Sequence, residues 1–207
     1  MLLSSFILNI IANLIAGKSI GGIMDTKIKA TVITPEDLNR TVTRLAHQIV
    51  EYNSGAEKLA LVGIRTRGAT LAERLVKKIE EIEQKKVPLG ILDITLYRDD
   101  FKKRFNQPNI QLTDLSFPID DIPVVLVDDV LYTGRTARAA LDALMDYGRP
   151  AKIQLAVLID RGHRELPIQP DFIGKVVTTQ VGEEIKVSLE EIDGQDCVHL
   201  LQVSENL

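Results

Sequence analysis

Val124-Val125-Leu126-Val127-Asp128-Asp129-Val130-Leu131-Tyr132-Thr133-Gly134-Arg135-Thr136 is the stretch on which the fold turns. Its first four residues form an apolar, mostly β-branched run, the pattern of a strand buried on both faces. Two adjacent carboxylates, Asp128 and Asp129, follow where that strand is expected to end. A short loop of Thr133, Gly134, Arg135 and Thr136 comes next. Ala137, Ala140, Leu141 and Leu144 then recur on one helical face.

Backbone N–H groups at a helix N-terminus lack intrahelical acceptors and attract anions. Thr133 and Thr136 add hydroxyl donors, Arg135 adds charge, and Gly134 lets the backbone come close. A phosphate fits such a loop. Asp128 and Asp129, just upstream, suit the hydroxyls of a vicinal diol. Phosphate plus diol points to a ribose 5-phosphate. An ordinary charged strand-to-helix connection would not require the carboxylate pair.

Working outward, residues 59–64 read as a second buried strand, running into Gly63-Ile64-Arg65-Thr66-Arg67-Gly68. Ala72, Leu75, Ile79 and Ile82 mark the inward face of the helix that follows. Two arginines and an approachable backbone suit a pyrophosphate. Alone, such a loop is equally a plain basic turn. Beside a ribose-phosphate site it supplies a second anion site.

Upstream, residues 29–33 read as a short edge strand. Thr34-Pro35-Glu36-Asp37 opens a helix, with Thr as N-cap, Pro at the first helical position and acids in the first turn. Leu38, Val42, Leu45 and Ile49 form its buried stripe. Arg40, Arg44 and His47 share another face, with Thr43 beside them. That face is either solvated or placed to meet the phosphate backbone of RNA.

Residues 89–97 read as a strand. From 98 to 121 the pattern dissolves into charged and turn residues, the mark of a functional or mobile connection. The helix after the central motif stops near Tyr147-Gly148-Arg149-Pro150. Residues 152–159 form another buried strand, leading to Asp160-Arg161-Gly162-His163-Arg164. The tail alternates at 176–177, 185–189 and 198–201, as edge strands do. No chemistry is assigned to His199 or Cys197.

Composition sets the bounds. The chain has 207 residues, a net charge of −4, no Trp and one Cys. One domain with a sizeable core is the simplest organisation. A single cysteine excludes an internal disulfide and a cysteine zinc cluster, and fits a reducing compartment. The acidic balance argues against wholesale coating of nucleic acid but leaves room for a local basic face. Residues 1–23 stand apart. They are rich in Leu and Ile, with Lys18 as the one charge, and lack the basic start of a secretory signal. The apolar run is short for a membrane span and broken by Ser, Asn and Gly. It reads as an N-terminal extension outside the core, with Met24 opening a single domain over 24–207; an interfacial helix is the other reading.

The central stretch resembles the phosphoribosyl-pyrophosphate (PRPP) signature of type I phosphoribosyltransferases. Asp93-Ile94-Thr95-Leu96-Tyr97-Arg98-Asp99-Asp100 and Asp160-Arg161-Gly162-His163-Arg164-Glu165-Leu166-Pro167-Ile168 are similar to two further signatures of the PyrR family. Its members combine pyrimidine-operon RNA attenuation with uracil phosphoribosyltransferase activity. The similarity runs from about Lys29 onward.

The resemblance implies an α/β chain with the type I phosphoribosyltransferase fold: a central, mostly parallel sheet flanked by helices, with a small hood and a flexible loop. It implies that uracil N1 displaces pyrophosphate from PRPP to give UMP. Asp128 and Asp129 would bind the ribose hydroxyls, Asp129 also stabilising positive charge on the sugar. Thr133, Gly134, Arg135 and Thr136 would hold the 5-phosphate. Arg65, Thr66, Arg67 and Gly68 would take the pyrophosphate with Mg²⁺, in a loop where the family often has a cis peptide. Magnesium would be carried by PRPP, with no metal site made from protein side chains alone. Arg98 and Lys102, in the flexible loop, are candidates to reach the pyrophosphate. Ile159, Asp160 and Arg161 would begin the uracil hood, with Arg161 meeting the nucleotide. His163 has the chemistry of a base but is the lesser candidate.

Thr43, Arg44, His47 and Arg164 match positions that the family presents to pyr leader mRNA, under control of UMP or UTP. Gln169 stands where a second basic residue is expected, which removes one phosphate contact. A homodimer or higher homo-oligomer, in the cytoplasm and away from membranes, is implied by the same resemblance. A phosphoribosyltransferase without RNA regulation is the alternative. A purine or orotate enzyme shares the central motif but not the flanking two.

Overall fold

A computed structural model describes residues 25–97 and 113–204 of the chain. The expectations on residues 1–23, Arg98, Lys102 and the loop around them lie outside the described residues.

Five parallel strands form the main sheet, in the spatial order β3-β2-β4-β5-β6. They are β2 (Ala60–Ile64), β3 (Leu89–Leu92), β4 (Pro123–Leu131), β5 (Lys152–Asp160) and β6 (Phe172–Val176). β4 lies at the centre. Val125 and Val127 face one layer of the core, Val124 and Leu126 the other. This alternation explains why an unbroken apolar run is needed there: each face of the strand is covered.

Helix α1 (Pro35–Tyr52) and helix α2 (Arg67–Glu83) cover one face, through Leu38, Leu45, Ile49, Leu71, Leu75 and Ile79. Helix α3 (Arg135–Met145) covers the other, through Ala137, Ala140 and Leu144. The α1 start is capped as its sequence predicts: Thr34 Oγ1 accepts from Asp37 N at 3.3 Å, with Pro35 in the first turn.

A second, antiparallel sheet has the order β1-β8-β7, from β1 (Asp25–Ile33), β7 (Glu183–Ser188) and β8 (Cys197–Ser204). A four-residue helix, α4 (Glu190–Asp193), bridges β7 and β8. This sheet is the small hood. The edge strand expected at 29–33 is longer and belongs to the hood, paired with β8.

Two expected boundaries move. The strand expected over 89–97 stops at Leu92. Asp93 Oδ1 accepts from Thr95 N at 2.8 Å, a local turn that competes with the ladder, and residues Thr95–Tyr97 close a 3₁₀ turn. Conversely, β4 does not end before its carboxylates. It pairs with β5 as far as Leu131 beside Asp160, so Asp128 and Asp129 lie within the strand.

Candidate active site

Two strand–loop–helix units, β2–α2 and β4–α3, sit side by side. β2 and β4 are hydrogen-bonded neighbours, yet α2 and α3 leave toward opposite faces of the sheet. Helices that diverge in this way open a crevice at the carboxyl ends of the two strands, the place where α/β sheets bind ligands.

The registers expose the carboxylates in that crevice. β2 pairs with β4 only as far as Gly63 beside Val127. Among the described residues, one edge of β4 has no strand partner past Val127, where Asp128 and Asp129 follow. Asp128 is 9% exposed, and its Oδ1 accepts from Asp129 N at 2.9 Å. Asp129 Oδ1 accepts from Val130 N at 2.9 Å. Burial pushes the Asp129 carboxyl above the usual Asp range, opposed by the Val130 N–H and the charge of Arg67.

The loop after β4 turns at Gly134, where φ is +91°. A side chain there would be strained, and Ile168 and Leu166 already stand 3.4 Å from where its Cβ would lie. α3 begins at Arg135 with Gly134 at its N-cap, which offers no side chain; Arg135 N donates instead to Thr133 Oγ1 at a long 3.4 Å. The Thr133 carbonyl accepts from Glu165 N and Leu166 N, tying this loop to the segment after β5. The expected charge of Arg135 is shared: its Nε donates to Glu165 Oε2 at 2.7 Å.

The loop after β2 contains a cis peptide between Arg65 and Thr66, as the resemblance implies. α2 also starts without a side-chain cap. Gly68, in its first turn, lies against β4; a Cβ there would run into the Val127 carbonyl oxygen, with the Asp128 Cα next at 3.1 Å. The absence of that side chain lets the start of α2 pack against the β4 backbone at Val127 and Asp128. Arg67 turns toward the hood, donating to Asp193 through Nε (3.2 Å) and Nη2 (2.8 Å).

Ile159 and Asp160, expected to begin the hood, are instead the last residues of β5 in the main sheet; Ile159 is fully buried, and Asp160 accepts from Gly162 N at 3.0 Å and from the Arg164 guanidinium at 2.7 Å. Arg161 spans the crevice. Its Nη2 donates to the Glu183 carbonyl at 2.7 Å, its Nε to Thr179 Oγ1 at 3.2 Å, and its guanidinium lies 4.0 Å from the Tyr132 ring centroid. His163 packs edge-on against Tyr132, and its Nε2 lies 2.7 Å from the Thr179 carbonyl, to which it donates. Tyr132, Arg161, His163 and residues 180–184 wall an open cavity of about 670 Å³. Tyr132, Thr179 and Gln180 carry no motif of their own. Tyr132 alone had a signal, as a large aromatic within the central stretch.

The RNA candidates do not all share one surface role. Arg44 is exposed and donates to the carbonyls of Ile173, at 3.3 Å, and Gly174. With Asp37, Arg40 and Lys175 it lines a groove of about 290 Å³ between α1, β1 and β6, in which Arg40 pairs with Asp37 at 3.3 Å. Thr43 is half-buried and donates to Asn39 O at 3.0 Å, and His47 is exposed. Arg164 is turned inward instead. Its side chain is 20% exposed, and its donors go to Asp160 and the carbonyls of Ile168, Tyr132 and Gly162. Sequence periodicity marked Arg40 but not Lys175, which only the sheet brings to the groove.

The phosphoribosyl transferase domain family matches residues 34–192. A bifunctional PyrR protein of Deinococcus radiodurans is 57% identical over 175 residues, 84% of this chain and 96% of its own. That of Thermus thermophilus is 56% identical over 174 residues, with 84% and 96% covered. Among solved structures, a hypoxanthine-guanine phosphoribosyltransferase from Bacillus anthracis superposes with a TM-score of 0.63 at 20% identity, covering 86% of this chain and 99% of that one. The hypoxanthine phosphoribosyltransferase of Trypanosoma cruzi gives 0.63 at 14%, covering 86% and 98%. The domain match, and similarity over nearly the whole length of those PyrR relatives, make this chain a member of the phosphoribosyltransferase family, in its PyrR branch.

Proposed function

We propose that this protein converts uracil and PRPP to UMP and pyrophosphate, and that it also binds pyr leader mRNA under control of uridine nucleotides. The observation that carries the enzymatic reading is the junction at Gly68, where a pyrophosphate loop abuts the strand that bears Asp128 and Asp129. One sugar with a 5-phosphate and a 1-pyrophosphate needs both anion sites within its own length.

In this reading, Asp128 and Asp129 accept hydrogen bonds from the ribose hydroxyls. The 5-phosphate takes the first-turn N–H groups of α3 and the hydroxyls of Thr133 and Thr136. The departing pyrophosphate meets Arg65, Arg67 and the backbone of the cis-peptide loop. As the C1–N bond to uracil forms, the C1–O bond to pyrophosphate breaks, and positive charge builds on the sugar. Asp129 stands where that charge develops. Arg161 and the Gln180–Glu183 wall enclose the base, and the loop with Arg98 and Lys102 would close over the site to exclude water.

Mg²⁺ suits this donor set. Among the described residues no three His, Cys, Asp or Glu side chains gather into a cage, and magnesium readily shares phosphate oxygens and water. Asp128 and Asp129 are the carboxylates beside the substrate that carries it.

The RNA reading rests on the basic groove of Arg40, Arg44 and Lys175 together with His47. Residues 24–207 are read as one domain, assembling as a homodimer or higher oligomer in the cytoplasm; among the described residues no helix is long and apolar enough to cross a membrane. A phosphoribosyltransferase without RNA control is the second reading. It is favoured by the inward guanidinium of Arg164 and by the exposed Gln169.

The test is paired. Uracil and PRPP are converted to UMP in the presence of Mg²⁺, and a pyr leader hairpin is titrated with and without UMP at fixed salt. UMP synthesis with nucleotide-enhanced, sequence-selective binding supports both functions. Synthesis without selective binding supports the second reading. No synthesis overturns the enzymatic assignment.

A further inference from the structure

Two arginines on α2 reach the hood. Arg74 holds Glu191 and Asp196 together, its Nη2 2.7 Å from Asp196 Oδ1. Arg67, two turns earlier, forms the bidentate pair with Asp193. The two clamps look alike but differ in place. Arg74 sits in mid-helix. Arg67 is the first residue of α2, directly after the cis peptide and next to Gly68, which abuts the Asp128 backbone.

Asp193 is itself fixed, because its Oδ2 also accepts from Leu189 N at 3.0 Å. The pair occupies the Nε–Nη2 edge of the guanidinium. Among the described residues, Arg67 makes no other hydrogen bond, so Nη1 keeps both of its N–H donors. The charge of Arg67 is felt at Asp129, whose ionised form it favours. The same pair holds the Asp193 carboxyl below the usual Asp range. An arginine side chain has many rotamers. Ordering it before substrate arrives removes that entropy cost from the binding step.

We propose that Asp193 is a positioning residue for phosphoribosyl transfer: it locks the Arg67 guanidinium beside the Asp128–Asp129 pair, with Nη1 presented to the diphosphate of the substrate. The hood thus contributes to the diphosphate site as well as to the base pocket. This rests on the reading of Arg67 as a diphosphate ligand. The pair is partly exposed, with side chains 33% and 21% accessible, so its contribution to folding is small. Its main effect falls on binding.

The experiment is steady-state kinetics on the full chain, with melting temperature followed alongside. Asp193→Asn is expected to raise the KM for PRPP about tenfold. Its kcat and its KM for uracil stay close to those of the parent. Asp193→Glu, which keeps the charge, recovers part of the loss. Glu191→Gln breaks a neighbouring pair while Asp196 still holds Arg74, and leaves the KM for PRPP unchanged. An Asp193→Asn enzyme with parental or lower KM for PRPP overturns the proposal. So does an equal rise in Glu191→Gln, which would signal general loosening of the hood. Arg67→Ala separates the two layers of the claim. If it raises the KM for PRPP while Asp193→Asn does not, Arg67 keeps its role and Asp193 loses its own. If Arg67→Ala leaves that KM unchanged, both fall. In the Arg67→Ala background, Asp193→Asn should add nothing.

Discussion

Gly68 and Val127 touch backbone to backbone: a side chain at Gly68 would occupy the space of the Val127 carbonyl oxygen. This contact joins the start of α2 to the strand that carries the carboxylate pair. It fixes how far the loop proposed to take pyrophosphate stands from the carboxylates proposed to bind ribose.

Gly68→Ala therefore should push the two units apart. Overpacking against backbone costs ~1–3 kcal/mol, which melting curves would register. The KM for PRPP should rise by at least about tenfold, because a misplaced anion loop loses its alignment with the diol site. Parental kinetics in a folded variant would show that this contact does not set the site.

Asp129→Asn should lower kcat by about 10²–10³, the scale seen when a charge aimed at a transition state is removed. RNA binding should survive. Equal loss of both activities would contradict separate surfaces. The same variant carries a stability signature. Burial raises the Asp129 pKa in the folded chain above its unfolded value, so in the window between the two values the native state binds more protons. Stability contributed at this site is then complete below the unfolded pKa, near ~3.9, and falls as pH rises through the folded value. Asp129→Asn should melt higher than the parent at pH 7, and the difference should vanish in acid. A lower melting temperature at pH 7 would count against a desolvated carboxylate.

Arg161 is the side chain that ties β5 to the Glu183 carbonyl and lies over Tyr132. Replacing it with Met keeps much of the bulk and removes the donors. The KM for uracil should rise about tenfold, the worth of one or two charge-assisted hydrogen bonds, with a smaller change for PRPP. A selective effect on PRPP instead would move Arg161 to the phosphate side of the site.

Arg44→Ala should weaken binding of a pyr leader hairpin and reduce the slope of log K against log salt by about one. Gln169→Arg should do the reverse, steepening the slope by about one. If neither slope changes, RNA contacts neither the α1 groove nor residue 169.

Much of this molecule was legible in its sequence because its signals are local. The apolar run at 124–127, the Thr34–Pro35 cap and the glycines beside phosphate-binding chemistry each report on a few neighbouring residues. They placed the strands, the helices and the two strand-to-helix loops beside the carboxylate pair. Strand ends were less legible, since they depend on a partner. β4 runs on through its carboxylates because β5 continues to pair with it, and β3 stops early because Asp93 turns the chain.

Side-chain direction was not legible at all where charge pairs cross between elements. Arg67, Arg135 and Arg164 look alike in the sequence as basic residues near a phosphate site. In the fold Arg67 is held by Asp193, Arg135 by Glu165, and Arg164 by Asp160 and the carbonyls of Leu131, Tyr132, Gly162 and Ile168. Lys175 and Arg44 stand 131 positions apart and share a groove only because β6 packs against α1.

By itself the sequence determined the periodicities, caps and loop chemistry, hence the α/β class and the chemistry of a sugar phosphate, because these follow from residues close along the chain. The tertiary structure alone decided which charges remain for a ligand, since an ion pair between distant elements is set by the packing that brings them together.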